Sequence, residues 1–323
     1  MNPEDLADCW VISDGAAGNE RQALALAHAL ELRPRVIRLR IREPWNSLAP
    51  RLLAGAGWAL RDERGQRLTP PWPALAIGCG RRAALATRLL RRWSAGHSFC
   101  VQILDPRIDS EEFDLVIAPV HDGIDGRKVI RSIGALNEVG PEWLGRARQQ
   151  FAQLAELPAP RTAVLIGAST RAQRLDAAWF AALLDLLATQ QARDGGSFLV
   201  SASRRTPPAL VAQLRGRFAA LPGLFWGGPQ DGENPYAGLL GWADRIVVTP
   251  DSVNMISEAC ATGKPVYTHT PRPLSGKLAH FHAALKASGH LRELGDTSAR
   301  PLPAPLDETR EIASHVRERW LAH

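Results

Sequence analysis

The 323-residue sequence has few cysteines, few lysines and no long apolar run. Its four cysteines, Cys9, Cys79, Cys100 and Cys260, include no C-x-x-C pair, which argues against a zinc finger and against the disulfide framework of a secreted protein. No stretch has the roughly 18 uncharged apolar residues that a membrane-spanning helix needs, and no basic segment precedes an apolar run near Met1. We therefore expect a soluble, cytoplasmic protein.

The charge of the chain is positive and is carried almost entirely by arginine. The net charge is +6, and only four of the 39 basic residues are lysines. Arginine suits bidentate contacts with phosphate groups, so an anionic ligand is expected. Because no block of five or six like charges marks a nucleic-acid-binding arm, nucleic acid is not an expected partner.

Short apolar runs alternate with longer segments in which apolar residues recur every three or four positions. Residues 21–32 and 81–93 have this helical period. The alternation predicts an α/β fold in which parallel sheets are covered by helices. The predicted strands are residues 9–12, 36–39, 74–77, 99–104 and 115–118 in the first half, and 163–166, 198–201, 224–226, 245–249 and 265–268 in the second.

The alternation pauses in the middle of the chain, which predicts two domains. Residues 141–157 read as a helix, Pro158 and Pro160 follow it, and a new strand starts at 163. We predict two Rossmann-like parallel-sheet domains facing a cleft. Their predicted bounds are an N-terminal domain at 1–140, a linker helix at 141–160, a C-terminal domain at 161–305 and a last helix at 306–323 that packs back across the domains.

Ligands of open parallel sheets bind beyond the carboxyl ends of the strands, so the loops there are candidates. The loop after the first strand and the helix that follows it contain Gly15, Gly18, Asn19 and Gln22, and the glycines permit close approach of a ligand. Asp14 is placed at the tip of the strand, where a carboxylate can accept a proton from an attacking hydroxyl. A helix cap or a tight turn is the alternative interpretation.

Three further loops of the first half end strands in the same way. Gly80 and Arg81 belong to a relaxed G-x-G-x-x-A pattern, for which a turn that touches a polar substrate is favoured over a dinucleotide site. Asp105 and Arg107 follow the next strand and are expected in the same crevice. His121 is the second candidate for the base, with a structural histidine as its alternative.

In the second half, the loops after the first two strands combine small residues, hydroxyls and cations. This composition suits the oxygens of a diphosphate. A solvated basic loop is the alternative interpretation of the second of these loops. The predicted contacts are Ser169, Thr170 and Arg171 in the first loop, and Ser203, Arg204 and Arg205 in the second.

Residues 247–267 are the most informative stretch of the sequence. A strand leads into a small polar loop and a helix, and a Gly-Lys-Pro turn ends that helix before the next strand. Free amides at the helix N-terminus attract phosphate, and Glu258 is placed to reach ribose hydroxyls, with simple helix capping as the alternative. The donor-binding residues predicted here are Asp251, Ser252, Asn254, Met255 and Glu258.

This stretch resembles the donor-binding signature of GT-B glycosyltransferases. Asp251 and Ser252 resemble the diphosphate loop of heptosyltransferases. Glu258 and the turn at 263–265 resemble the ribose-contacting segment of the lipid-linked N-acetylglucosaminyl transferase of peptidoglycan synthesis. The resemblance implies a GT-B-like fold and a nucleotide-sugar ligand.

A more specific resemblance covers nearly the whole chain. Seven segments together resemble the elongated-mitochondria (mitochondrial fission) family of bacterial and plant proteins, which is grouped with GT-B folds. The resemblance does not itself supply an activity. The segments are residues 13–22, 78–82, 102–107, 121–122, 134–137, 203–207 and 249–263.

Together with these loops, the resemblance to GT-B glycosyltransferases implies a metal-independent, inverting glycosyltransferase that needs no cofactor. A nucleotide sugar would be its donor substrate, bound by the C-terminal domain, and an unidentified acceptor would bind on the N-terminal side. Two alternatives stay open: a sugar-nucleotide 2-epimerase of the same fold, and a non-catalytic nucleotide-binding or scaffold protein.

Residues 45–60 leave a further question open. They contain Leu48, Leu52, Leu53, Trp58 and Leu60. These side chains would either form an apolar face against lipid, at the inner face of the membrane where a membrane-associated acceptor would lie, or pack into the core. Two glycines within the segment weaken a long amphipathic helix.

Overall fold

Strands and helices alternate throughout the computed structural model, which describes residues 8–170, 173–296, 298 and 301–323. The chain divides into two units, each with its own sheet. Unit 1 comprises Met1–Glu138 and Glu308–His323, and unit 2 comprises Val139–Asp307.

Unit 1 contains a six-stranded parallel sheet and a short antiparallel pair. Its elements up to residue 138 are β1 (Cys9–Ser13), α1 (Ala17–Ala29), β2 (Arg35–Arg38), β3 (Arg40–Ile41), α2 (Trp45–Leu48), α3 (Ala56–Ala59), β4 (Leu60–Arg61), β5 (Leu75–Cys79), α4 (Arg81–Trp93), β6 (Phe99–Ile103), β7 (Leu115–Pro119) and β8 (Val129–Ser132).

Unit 2 contains a second six-stranded parallel sheet. Its elements are α5 (Pro141–Gln150), β9 (Arg161–Ile166), α6 (Ala177–Asp194), β10 (Ser197–Ala202), α7 (Pro208–Phe218), β11 (Gly223–Trp226), α8 (Tyr236–Trp242), β12 (Arg245–Val248), α9 (Val253–Ala261), β13 (Val266–Thr268), α10 (Gly276–Ala287) and β14 (Arg292–Glu293), and the chain then returns to unit 1 as α11 (Glu308–Leu321).

In each sheet the strand order reverses once, next to the first strand of the unit. The orders are β2-β1-β5-β6-β7-β8 and β11-β10-β9-β12-β13-β14. The reversals lie between β1 and β5 and between β9 and β12. Such switch points leave a crevice at the carboxyl ends of the strands, which is where ligands of this architecture bind.

The central strands are apolar on both faces because helices cover both sides of each sheet. All five residues of β1, β5, β6 and β7 are buried. α11 packs against α1, and its Ile312, Val316 and Trp320 join the core of unit 1. The carboxylate of Glu308, at the start of α11, accepts hydrogen bonds from the backbone N–H groups of Ile133 and Gly134 at 2.7 and 2.8 Å.

The predicted α/β class with two parallel sheets is confirmed, and every predicted strand overlaps an observed one. The helix predicted at 141–157 is shorter: α5 ends at Gln150, because Phe151 leaves the helical conformation and a 3-10 turn, Ala152–Glu156, follows. The helix predicted at 21–32 begins four residues earlier, at Ala17.

Residues 40–61 form an insertion between β2 and β5, outside the main sheet of unit 1. This insertion is called the 40–61 excursion below. β3 and β4 pair antiparallel at its base, and α2 and α3 lie between them. Ala49, Ala56 and Leu60 are buried in the core of unit 1, while Leu48 and Trp58 are exposed. The segment therefore contributes to the core and also presents apolar side chains to solvent.

Candidate functional site

At the switch point of unit 2, side chains after β12 hold the backbone after β9. The hydroxyl of Thr249 accepts a hydrogen bond from Gly167 N at 2.8 Å and donates one to Asp251 Oδ1 at 2.6 Å. Asp251 Oδ2 accepts one from Ala168 N at 3.1 Å. A Cβ at position 167 would lie 2.3 Å from the carboxylate oxygens, so glycine is required there. The two loops are locked together at the crevice.

Asp251 lies beneath these loops. Its side chain has no exposed surface, and Arg205 Nη2, on a side chain that is 61% exposed, lies 3.6 Å from Oδ2. Burial raises the pKa of the carboxyl, while the hydrogen bonds from Thr249 and Ala168 act in the opposite direction. The sequence predicted a direct donor contact for Asp251; the structure places its carboxylate where it positions backbone amides.

The loop after β9 closes on itself through its hydroxyls. Ser169 Oγ accepts a hydrogen bond from Leu175 N at 2.9 Å and donates to Leu175 O at 3.1 Å. Thr170 Oγ1 accepts one from Gln173 N at 3.1 Å. Both predicted hydroxyls therefore shape the loop, and the predicted Arg171 lies outside the described residues.

The loop after β10 presents two arginines on a fixed backbone. Thr206 donates a hydrogen bond to Gly167 O at 2.8 Å, and Ser203 Oγ lies 3.1 Å from Thr206 Oγ1. Arg204 and Arg205 are exposed, and Arg204 forms no ion pair with any described residue. Arg204 is therefore available to a ligand anion.

A pocket of about 610 Å³ opens beside the ends of β10 and β11, within the range that holds small ligands. Val211 and Trp226 contribute apolar wall, and Arg204 also lines it. Asp231 also lines the pocket and connects two other lining residues. Its carboxylate accepts hydrogen bonds from Arg215 at 2.6 Å and Gly227 N at 2.7 Å. Of the lining residues, Ser203 and Arg204 were predicted from the sequence, whereas Val211, Trp226 and Asp231 were not.

The N-terminus of α9 faces the same edge of the sheet. Ser252 is the N-cap, and its hydroxyl accepts a hydrogen bond from Met255 N at 3.4 Å. Asn254 and Met255 are half-buried, so the first turn remains accessible. Glu258 is buried one turn further on, and the Tyr236 hydroxyl donates a short hydrogen bond to its Oε2. This bond fixes the direction of the carboxylate.

A buried histidine supports the loop before α9. His282 Nε2 donates to Pro250 O at 2.9 Å, while its Nδ1 has no hydrogen-bond partner among the described residues. Burial lowers the pKa of His282 to about 4, so the ring is neutral at neutral pH. No sequence pattern indicated this residue, since it lies 32 positions from its partner.

At the switch point of unit 1, the loop after β1 meets the turn after β5. Asp14 Oδ1 accepts hydrogen bonds from Ala16 N at 3.1 Å and from Asn19 Nδ2 at 3.3 Å. Gly80 has φ of +84°, and a Cβ there would lie 2.6 Å from Asn19 Nδ2. The structure thus brings Asp14, Asn19 and Gly80 together. Three other predicted residues lie on the same loop and helix: Gly15 and Gly18, with Gln22 buried on α1.

The loops after β6 and β7 form a second cluster in unit 1. Asp122 Oδ2 accepts a hydrogen bond from Asp105 N at 3.2 Å, and Asp105 Oδ1 accepts one from Arg107 N at 2.7 Å. Leu104 and Arg107 adopt φ of +68° and +60°. Left-handed backbone costs non-glycine residues about 1–2 kcal/mol each, and such strain concentrates at functional sites. His121 belongs to the 3-10 turn that contains Asp122.

The two clusters of unit 1 are separate. β5 and β6 lie between β1 and β7, so Asp14 and His121 follow strands that are about 14 Å apart. The guanidinium of Arg81 forms no hydrogen bond with the described residues of either cluster. Its Nη1 donates to the carbonyls of Asn46, Ser47 and Ala49 at 2.9–3.1 Å. The sequence predicted that Arg81 contacts a ligand, whereas in the structure its side chain binds the backbone of the 40–61 excursion.

Comparison with known proteins identifies the family. The family model described as Mitochondrial fission ELM1 matches residues 17–320. The chain belongs to this family. A relative named Mitochondrial fission protein ELM1, from Arabidopsis thaliana, is 32% identical over 278 residues, which are 77% of this chain and only 64% of the plant protein. Uncharacterized protein RP120 of Rickettsia prowazekii is 28% identical over 314 residues, or 84% of this chain and 85% of that protein.

Solved structures confirm the GT-B-like fold of this family member. A UDP-GlcNAc 2-epimerase from Methanocaldococcus jannaschii is similar over 97% of this chain and 100% of its own, with a TM-score of 0.57 and 13% identity. MurG from Acinetobacter baumannii is similar over 97% and 99%, with a TM-score of 0.52 and 11% identity. Within the described ranges, no helix is both long and apolar enough to cross a membrane.

Proposed function

We propose that this chain is a glycosyltransferase that moves a sugar from a nucleotide-sugar donor to an acceptor hydroxyl. The observation that carries the proposal is the switch point of unit 2. There, Thr249 and Asp251 fix the backbone at Gly167 and Ala168 beside the accessible N-terminus of α9 and the 610 Å³ pocket. A neighbour with the same fold, the Methanocaldococcus jannaschii UDP-GlcNAc 2-epimerase, was crystallised with UDP-GlcNAc and UDP, which are ligands of the proposed class.

The proposed chemistry follows from the groups at this edge. The diphosphate leaving group gains negative charge in the transition state, and preorganised amides with an arginine stabilise such charge. Helix amides near Ser252 and the exposed guanidinium of Arg204 would supply this stabilisation without a metal. Glu258, held by Tyr236, would accept hydrogen bonds from the ribose hydroxyls, and the pocket would hold the base.

The acceptor side of the proposal rests on unit 1. Asp14 is half-buried at the end of β1 and forms no ion pair with a described residue, so its carboxylate can accept the proton of an acceptor hydroxyl. His121 is the second candidate for this base. The proposed course is an inverting displacement in the cytoplasm, with the protein peripheral at the inner face of the membrane.

Calorimetric titration tests the donor site. Purified protein is titrated with UDP, GDP, ADP and CMP and with their sugar conjugates, with no added metal. We expect one nucleotide to bind selectively and Arg204→Ala to weaken it about tenfold or more, the scale of one charged hydrogen bond. Arg217→Ala removes an exposed arginine of α7 outside the pocket and should leave affinity unchanged. Absence of binding by every nucleotide contradicts the proposal.

A sugar-nucleotide 2-epimerase is the second candidate function, since the M. jannaschii epimerase is matched over its full length. The two reactions differ in their need for an acceptor. Incubation with the bound nucleotide sugar alone distinguishes them: conversion to its 2-epimer supports the epimerase, whereas turnover that requires an added acceptor supports the transferase.

A further inference from the structure

One segment of unit 1 is strongly basic. Residues 33–67 contain nine arginines and three acidic residues, a net charge of +6. The whole chain has 39 basic and 33 acidic side chains, so the rest of it has 30 of each. This segment of 35 residues therefore has as large a net charge as the whole molecule.

Most arginines of this segment form no ion pair with a described residue. Of the nine, only Arg38 forms ion pairs with described residues, namely Glu20 and Glu63. Arg40 and Arg61 are direct partners across the β3–β4 pair. Like charges placed opposite each other destabilise a sheet. Such a broken rule is typical of a functional site, and an anionic partner would offset this repulsion.

Two exposed apolar side chains belong to the same segment. Trp58 is 68% exposed and Leu48 is 50% exposed. The guanidinium of Arg67 lies 4.2 Å from the centre of the Trp58 ring. Trp58 is the one largely exposed aromatic side chain in the part of the chain that the structure describes.

Side chains of α4 anchor the 40–61 excursion to the rest of unit 1. The three carbonyl contacts of Arg81 tie residues 46–49 to the start of α4. Gly57 packs so closely on Trp93 that a Cβ would lie 2.9 Å from its ring, and Trp45 Nε1 donates to Ala54 O at 2.7 Å. Trp58 and Leu48 are thus displayed by an anchored segment.

We propose that the 40–61 excursion and its flanking arginines bind the surface of a bilayer that contains anionic lipid. Trp58 and Leu48 insert among the headgroups, and the arginines contact lipid phosphates. Tryptophan and arginine are the residues that suit this interface. A protein interface has a core depleted of charge, and a single-stranded nucleic acid stacks on several aromatic rings. The segment has neither feature, which favours the bilayer.

The proposal is independent of the nucleotide site, since none of its residues belongs to unit 2. It also places the lipid surface near the acceptor edge, because Arg81 immediately follows the Gly80 turn that contacts Asn19. An acceptor carried by a lipid would meet unit 1 at that edge.

Vesicle flotation of the full chain, without nucleotide, tests the proposal. The vesicles are phosphatidylcholine alone or with about 30% phosphatidylglycerol. We expect binding to the anionic vesicles only, weakening with salt. The double variant Arg40→Ser, Arg42→Ser should lower the partition coefficient about 25-fold, at about fivefold per arginine. Arg217→Ser and Leu321→Ser change an exposed arginine and an exposed leucine elsewhere and should bind as the unchanged protein does.

A second readout reports insertion directly. Lipid with brominated chains should quench tryptophan fluorescence, and Trp58→Phe should remove most of the quenching while retaining most of the binding, because phenylalanine stays apolar. Equal binding to both vesicle types, or an unchanged partition coefficient in the double arginine variant, overturns the proposal. Tighter binding to polyuridylate or polyglutamate in solution than to anionic vesicles overturns it in favour of a nucleic acid or an acidic protein.

Discussion

Gly167 has no Cβ, which allows the loops after β9 and β12 of unit 2 to pack closely together. A Cβ there would lie 2.3 Å from the Asp251 carboxylate, which is buried and bonded to Ala168 N and Thr249. We expect Gly167→Ala to push the loops apart, to cost about 1–3 kcal/mol of stability and to abolish nucleotide binding. Thermal unfolding and calorimetric titration measure the two effects.

Gly145 provides the matched control. It lies inside α5, and a Cβ added there would have no neighbouring atom within 4 Å. Gly145→Ala should therefore raise the free energy of unfolding by about 0.5–1 kcal/mol, since alanine is the better helix former. If both variants bind nucleotide equally well, the loops after β9 and β12 do not form the donor site.

His282 makes the stability of the protein depend on pH. Its pKa is lowered from 6.5 to about 4 in the fold, so between these values the unfolded state binds more protons. The stabilisation is complete above pH 6.5 and is lost as the pH falls toward 4, by on the order of 2 kcal/mol between pH 7 and 5. Denaturant midpoints should fall over this range, and less steeply in His282→Gln.

The corresponding control for His282 is His315, which is about half exposed on α11. His315→Gln makes the same substitution at an exposed site and should change the midpoint at pH 7 by no more than an ordinary surface substitution does. Identical slopes for His282→Gln and the unchanged protein would show that burial of His282 does not control the acid response.

At the scale of elements, the strand order separates the two candidate bases. Asp14 and His121 follow β1 and β7, which are about 14 Å apart. Only one of these two side chains can therefore accept the proton of a given acceptor hydroxyl. We expect Asp14→Asn to lower kcat about 100-fold or more while nucleotide affinity stays the same. His121→Asn should change kcat only a few-fold. The reverse ranking would assign the base to the loop after β7.

The elements show why the sheets could be predicted and parts of the site could not. Buried central strands such as β7 are continuous apolar runs, so the sequence located them to within about two residues. β8 was missed because it is an edge strand with an exposed Arg131 and only one buried residue. The contacts of Gly167 with Thr249 and of Tyr236 with Glu258 join residues 82 and 22 positions apart, and no local pattern encodes such pairs.

At the scale of the whole molecule, the core of unit 1 depends on a helix that follows unit 2 in the sequence. Trp320 is buried in that core, whereas its neighbour Leu321 is 56% exposed. Trp320→Ala should cost about 3–5 kcal/mol, and Leu321→Ala about 0.5 kcal/mol or less.

Hydrogen exchange resolves where the loss of stability from Trp320→Ala occurs. Amides of β1, β5 and β6 should lose protection in this variant, while those of β9, β10 and β12 keep it, because each sheet has its own core. Equal loss of protection in both sheets would show that the units unfold as one.

Because α11 follows unit 2 in the sequence, the core of unit 1 can be completed only after unit 2 has been synthesised. Residues 139–307 leave the ribosome before residues 308–323, so unit 2 has its complete set of strands while the apolar side of α1 is still uncovered. That groove closes only when Ile312, Val316 and Trp320 arrive. A nascent chain released before these residues would expose the groove to chaperones and proteases.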